Sequence, residues 1–235
     1  MLGAMLLMVS LSDMVLKEQS ARADWYVDGS GKVNVRKCEQ FLAKTEQQFD
    51  LVVPRFKYIR VKGRERLFTN MVELTGSFGP GTIIGLTVFS VNGCSKHEIV
   101  HLVTAQLADK DRVVTEGVAV MLGGLGGGNP SMFDRYTARQ TARDRRVRYG
   151  QFIRVFHTGG GAKTPADVFW YYLADSWVRE LVSHHGGMPA LVRFFQEQKN
   201  GLTASQAFVA VYGDTREATF DRWLYGKRGF DPSRK

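Results

Sequence analysis

Residues 82–91 read TIIGLTVFSV and are followed, after a three-residue break, by SKHEIVH at 95–101. The first run is β-branched and aromatic, which predicts a strand. Ser95 is a good N-cap, so a helix is expected to begin directly after it. On that helix His97 and His101 stand at i and i+4, one turn apart on one face, where both imidazoles reach the same point. Glu98 projects beside them. With five His in 235 residues, a chance HExxH arises in about one in a few hundred such chains.

The flanking sequence sets the fold class. Trp25 to Val27 reads as a short strand ended by the turn residues Asp28-Gly29-Ser30-Gly31. From Val35 to about Val52, Cys38, Phe41, Leu42, Thr45 and Phe49 fall on one helical face, with Pro54 as the stop. FKYIRV at 56–61 alternates as a strand does, a short helix is expected around Glu65 to Leu74, and GSFGPG at 76–81 is a turn cluster. Beyond Ser95 the pattern is helical, over about 95–109, 115–122, 131–147, 166–185, 188–198, 204–212 and 215–225. A small N-terminal β-sheet followed by a mostly helical C-terminal half is an α+β arrangement. We expect a single domain over 24–235, with a metal motif at 97–116 and a helical part at 131–226.

Composition narrows the classes further. Apolar residues make up 44% of the chain and aromatics 11%, enough bulk for a core, which excludes disorder as the main state. No apolar run reaches the roughly 18–20 residues of a bilayer span, which excludes a polytopic membrane protein. The net charge of +9 favours anionic partners without naming one. Residues 1–23 read either as a signal peptide, with an apolar stretch over Met1 to Leu11 and a small-x-small site at Ala21-Arg22-Ala23, or as a frayed N-terminus. Export to the periplasm or medium is favoured over a cytoplasmic location, and Cys38 and Cys94 form one disulfide if the chain is exported and two thiols if it is not.

A zinc site needs a third protein ligand and an open position. Glu116, in TEGVA at 115–119, lies at the start of the next expected helix after the charged turn ADKDR at 108–112. A helical hairpin of that length folds Glu116 back over His97 and His101.

HExxH, a short helical return and an EGxA-type segment together resemble the gluzincins, and within them the peptidase MA-like group. Tyr171 to Gly187 (YYLADSWVRELVSHHGG) is similar to that group's Tyr-x-x-Ala-x-Ser helix, and the short helices within 191–223 are similar to its tail. The resemblance spans about residues 56–226. It implies a zincin-like fold, one zinc ion held by His97, His101 and Glu116, Glu98 as general base, and a peptide or protein as substrate. In such an enzyme Glu98 takes a proton from a water polarised by the metal and passes it to the leaving amine. The run 82–91 is then the edge on which an extended substrate pairs. By analogy Tyr171 steadies the oxyanion, with Tyr172 and His157 as the alternatives. The gap from His101 to Glu116 is shorter than in thermolysin-like enzymes.

Two features stand outside that resemblance. His184-His185-Gly186-Gly187 reads as a helix C-terminus rather than a ligand pair. Arg135, Arg139, Arg143 and Arg146 share one helical face, which is either a solvated face or a docking surface for an anionic partner. Two other functions are consistent with the sequence. One is a zincin-like binding or scaffold module that keeps its metal without efficient proteolysis. The other is a basic protein binding nucleic acid or an anionic surface, although no helix-turn-helix, zinc-finger or RNA-binding motif is present, so no specific nucleic acid is expected.

Overall fold

The strands of the first half of the chain build a sheet with one face given to the helices. The computed structural model describes residues 14–28, 31–61, 81–108, 111–125, 135–157 and 165–226. Its strands are β1 (Met14–Gln19), β2 (Ala23–Asp28), β3 (Phe56–Arg60), β4 (Gly81–Ile84) and β5 (Thr87–Ser90). They form one mixed sheet in the order β1-β2-β3-β5-β4. The two parallel pairings bring Trp25 opposite Tyr58, and Tyr58 opposite Val88. Trp25, Phe56, Tyr58 and Val88 enter the main core, while Ile59, Val61 and Phe89 form a small cluster of their own. Neighbours such as Tyr58 and Ile59 divide between the clusters because side chains alternate along a strand.

Among the described residues the helices are α1 (Val35–Phe49), α2 (Lys96–Thr104), α3 (Arg112–Gly123), α4 (Arg135–Asp144), α5 (Tyr149–His157), α6 (Pro165–His184), α7 (Gly187–Lys199), α8 (Ala204–Tyr212) and α9 (Arg216–Tyr225). The α+β reading therefore holds. None of these helices is long and apolar enough to cross a membrane. Helix α1 connects β2 to β3, as a parallel pair requires, and buries Cys38, Leu42, Thr45 and Phe49 on the expected face. It ends at Phe49, earlier than Pro54 suggested, because Asp50 turns left-handed at φ +51°. A disulfide joins Cys38 of α1 to Cys94, just ahead of α2, with Cα atoms 5.6 Å apart.

Two local expectations are corrected. The run 82–91 is not one strand but a hairpin, β4 and β5 pairing antiparallel with Ile84 opposite Thr87. Gly85, at the first of the two loop positions, has φ +55°, a conformation that only glycine takes without strain. The helix expected over 131–147 stops at Asp144, and a separate helix α5 follows it. At that stop the Val147 amide donates to Ala142 O (2.9 Å) and the Arg146 amide to Arg143 O (3.0 Å), with Arg146 at φ +55°. This is the Schellman termination with arginine where glycine is usual, so no glycine announces it. Within residues 1–23, Met14–Gln19 is a strand paired antiparallel with β2. The apolar stretch Met1 to Leu11, the short helix around Glu65 to Leu74 and the turn residues 76–80 lie outside the described residues.

Candidate metal centre

Helix α2 is placed from both ends of its first turn. Ser95 caps it, its side chain accepting from the Glu98 amide at 3.4 Å. The Ser95 amide in turn donates to the Tyr58 hydroxyl at 2.7 Å, and that hydroxyl donates to Asn92 O at 3.0 Å. Burial pushes the Tyr58 phenol up to about 12. It therefore stays protonated, able to donate and accept at once. The sheet is thereby fastened to the start of the helix that carries both histidines.

Helix α3 returns antiparallel to this start, and two glycines set its distance. A Cβ on Gly123 would lie 2.6 Å from the His97 amide nitrogen, and one on Gly117 would lie 2.6 Å from Ala174 O on α6. Both are closer than any side chain permits, so α3 packs on backbone at its end and its middle. The next residue, Gly124, presents its carbonyl 3.0 Å from His97 Nδ1. A carbonyl can only accept, so Nδ1 holds a proton, and in the neutral imidazole Nε2 is the nitrogen that carries the lone pair.

That lone pair faces two partners. His97 Nε2 lies 3.1 Å from His101 Nε2, His101 Nε2 lies 3.2 Å from Glu116 Oε2, and His97 Nε2 lies 3.3 Å from the same oxygen. In a tetrahedral zinc site with bonds of about 2.0–2.1 Å, ligand atoms stand about 3.3–3.4 Å apart. The observed triangle has the edges of one tetrahedral face, so the donor set fits a zinc ion and leaves a fourth corner open. Among the described residues this is the one group of three His, Cys, Asp or Glu side chains near enough to share an ion. Gly124 O supplies the outer hydrogen bond that orients a ligating histidine.

The two carboxyls are driven apart. Burial pushes the Glu98 carboxyl up, with His97 and His101 pulling it back. At Glu116 burial acts in the same sense, but the charge and hydrogen bonds of His101, then those of His97, overcome it and hold the carboxyl well below the usual range. Glu98 is 6% exposed and lies against β4. A Cβ on Gly81 would sit 2.6 Å from Glu98 Cγ and 2.8 Å from Oε1. Among the described residues β4 pairs only with β5, so the edge beside Glu98 belongs to β4 and not to the whole run 82–91.

Sequence reasoning missed Gly81, Gly123 and Gly124; the glycine run 123–128 was the only signal for the last two. Of the remaining expected residues, Tyr171 comes closest, its ring centroid 6.3 Å from that of His97 and packed edge-on against Phe156 at 5.3 Å. Tyr172 is partly buried against the core. His157 ends α5, and its side chain lies outside the described residues. His184 pairs with Glu180 at 3.3 Å at the end of α6, with Gly186 and Gly187 left-handed after it, as a helix terminus requires.

The arginine face meets a different fate. Arg139 Nη2 donates to Trp223 O at 2.7 Å and Arg143 Nε to Leu224 O at 2.5 Å. These are carbonyls of the last turn of α9, which have no partner within their own helix. The Arg139 guanidinium also lies over the Trp223 ring at 5.0 Å, and Arg135 Nε lies 3.5 Å from Asp175 Oδ2. No protein-family model matches the chain, and no curated protein matches it.

Proposed function

We propose that the chain is a zinc-dependent peptidase of the gluzincin kind, with His97, His101 and Glu116 as the metal ligands and Glu98 as the general base. The observation that carries this reading is the triangle of 3.1, 3.2 and 3.3 Å edges closed by Glu116, with a second carboxyl, that of Glu98, beside it that takes no part in the triangle. A zinc ion held there supplies electrophilic polarisation of a carbonyl and acidifies water. The chain's own residues supply the rest. The His97 imidazole is fixed in one tautomer by Gly124 O, so its lone pair needs no rearrangement to bind. Glu98 holds a carboxyl that receives a proton from the attacking water and returns it to the nitrogen of the leaving amine. The outer edge of β4, unpaired among the described residues, aligns an extended peptide by backbone hydrogen bonds next to Glu98. Tyr171, whose ring lies near that of His97, takes the role of donor to the carbonyl oxygen as negative charge develops on it.

Zinc content and hydrolysis of a broad peptide library, measured on Glu98→Gln beside Glu116→Gln, test the assignment. Glu98→Gln should keep about one zinc per chain and lose roughly 10²- to 10⁴-fold in turnover. Glu116→Gln should lose zinc, and activity with it. Wild-type turnover in Glu98→Gln, or loss of zinc from Glu98→Gln alone, overturns the roles. Zinc-loaded protein that cleaves nothing in the library overturns the peptidase reading and favours a binding module.

A further inference from the structure

We infer that a second site, separate from the metal triangle, binds a phosphate-type oligoanion. A cleft of about 850 Å³ opens between the start of α1, the start of α2 and β1. Lys32, Arg36, Lys37 and Lys96 line it against a single carboxylate, Glu18, and Cys94 of the disulfide forms part of its wall. None of His97, His101 and Glu116 lines it.

These cations stand where helices do not favour them. Arg36 and Lys37 occupy the first turn of α1, and Lys96 is the first residue of α2. The positive end of the helix dipole repels a cation at that position. Neither a carboxylate in the first turn of α1 nor an ion pair with any described residue relieves Arg36 or Lys37. Lys96 rests its ammonium over the Phe41 ring at 5.1 Å. Three residues thus break the local electrostatic rule around one concave surface, and for Arg36 and Lys37 no ion pair among the described residues offsets it. Such a departure marks a site shaped for something other than stability. Arginine and lysine together suit phosphate oxygens, by paired N–H donors and by point charge. Four cations in a cleft larger than one phosphate match a chain of two or three.

Titration calorimetry of tripolyphosphate into the full chain at low salt tests this. One equivalent should bind per chain, and binding should persist in His101→Ala, which separates the cleft from coordination at the metal triangle. Arg36→Gln/Lys37→Gln should weaken binding at least tenfold while melting no lower than the parent, because unfavourable charges have left a helix start. Lys32→Gln, outside any helix, should weaken it as well. Lys44→Gln/Lys199→Gln removes the same net charge from exposed positions elsewhere and should leave binding within twofold of the parent. Equal weakening in that control pair, unsaturable binding of several equivalents, or no binding at all overturns the site. Loss of binding in His101→Ala alone assigns the anion to the metal triangle instead.

Discussion

The α2–α3 pair and the arginine helix α4 are both organised by side chains four residues apart, and the tertiary structure uses them in opposite ways. On α2 the i, i+4 pair His97 and His101 converges with Glu116 on a small buried triangle. On α4 the same spacing aligns Arg139 and Arg143, which reach across to the carbonyls of Trp223 and Leu224. Spacing says which groups share a face. It does not say what that face meets. The triangle closes because α3, thinned by Gly123 where it meets the start of α2, comes close enough to bring Glu116 to the two histidines. The arginine face is a brace because α9 ends against it with its last carbonyls unsatisfied.

If the comparison is right, perturbing the first region should change metal or turnover, and perturbing the second should change stability alone. The largest expected effect lies outside both regions, at the disulfide ahead of α2. Cys38→Ser/Cys94→Ser opens a loop with 56 residues of separation, and it should cost about 4 kcal/mol in urea unfolding on the chain-entropy model. Zinc bound under native conditions should stay near one equivalent, since Ser95 and Tyr58 still fix the start of α2.

The next effect is on chemistry. Gly81→Ala forces the Glu98 carboxyl out of its place while leaving the triangle untouched, so turnover should fall about 10²-fold, the loss typical of a 1 Å misplacement, with zinc content unchanged. Full activity in that variant would show that Glu98 does not need the position seen here. Arg139→Gln and Arg143→Gln should each destabilise by about 1–2 kcal/mol, the loss of a charged hydrogen bond to a partly buried carbonyl. Both should leave zinc and turnover at the parent level; reduced zinc in either would couple the two regions and break the distinction. Smallest of all, Arg135→Gln should cost about 0–1 kcal/mol, because its contact with Asp175 is largely exposed on the arginine side, and Arg179 still pairs that carboxylate at 2.8 Å.

Local chemistry was legible in the sequence wherever one residue's properties decide the backbone. Ser95 as a cap, the helix at 204–212, the glycines ending α6 and the burial of Cys38, Leu42 and Phe49 on one face of α1 all follow from hydroxyl geometry, backbone freedom or periodicity. The motif His97, Glu98, His101 was legible for the same reason, because helical spacing alone puts both imidazoles together. Legibility failed where the deciding partner is distant. Nothing local in Arg146 marks a left-handed turn; Val147 and Ala142, both buried, hold it there. Gly85 split one apparent strand into two because β5 pairs with β3 on its other side, a choice made by the sheet.

The chain's own order of residues therefore determined the α+β class, the histidine pair on one helical face and the presence of a carboxylate on the next helix. Only the tertiary structure decided that Glu116 closes the triangle, that Gly124 O sets the His97 tautomer, that Glu98 lies under the edge of β4, and that the arginines cap α9. The physical reason is one of range. Capping, periodicity and left-handed glycines act over a few residues, whereas close backbone approach and the satisfaction of orphan carbonyls depend on what another element brings to the contact.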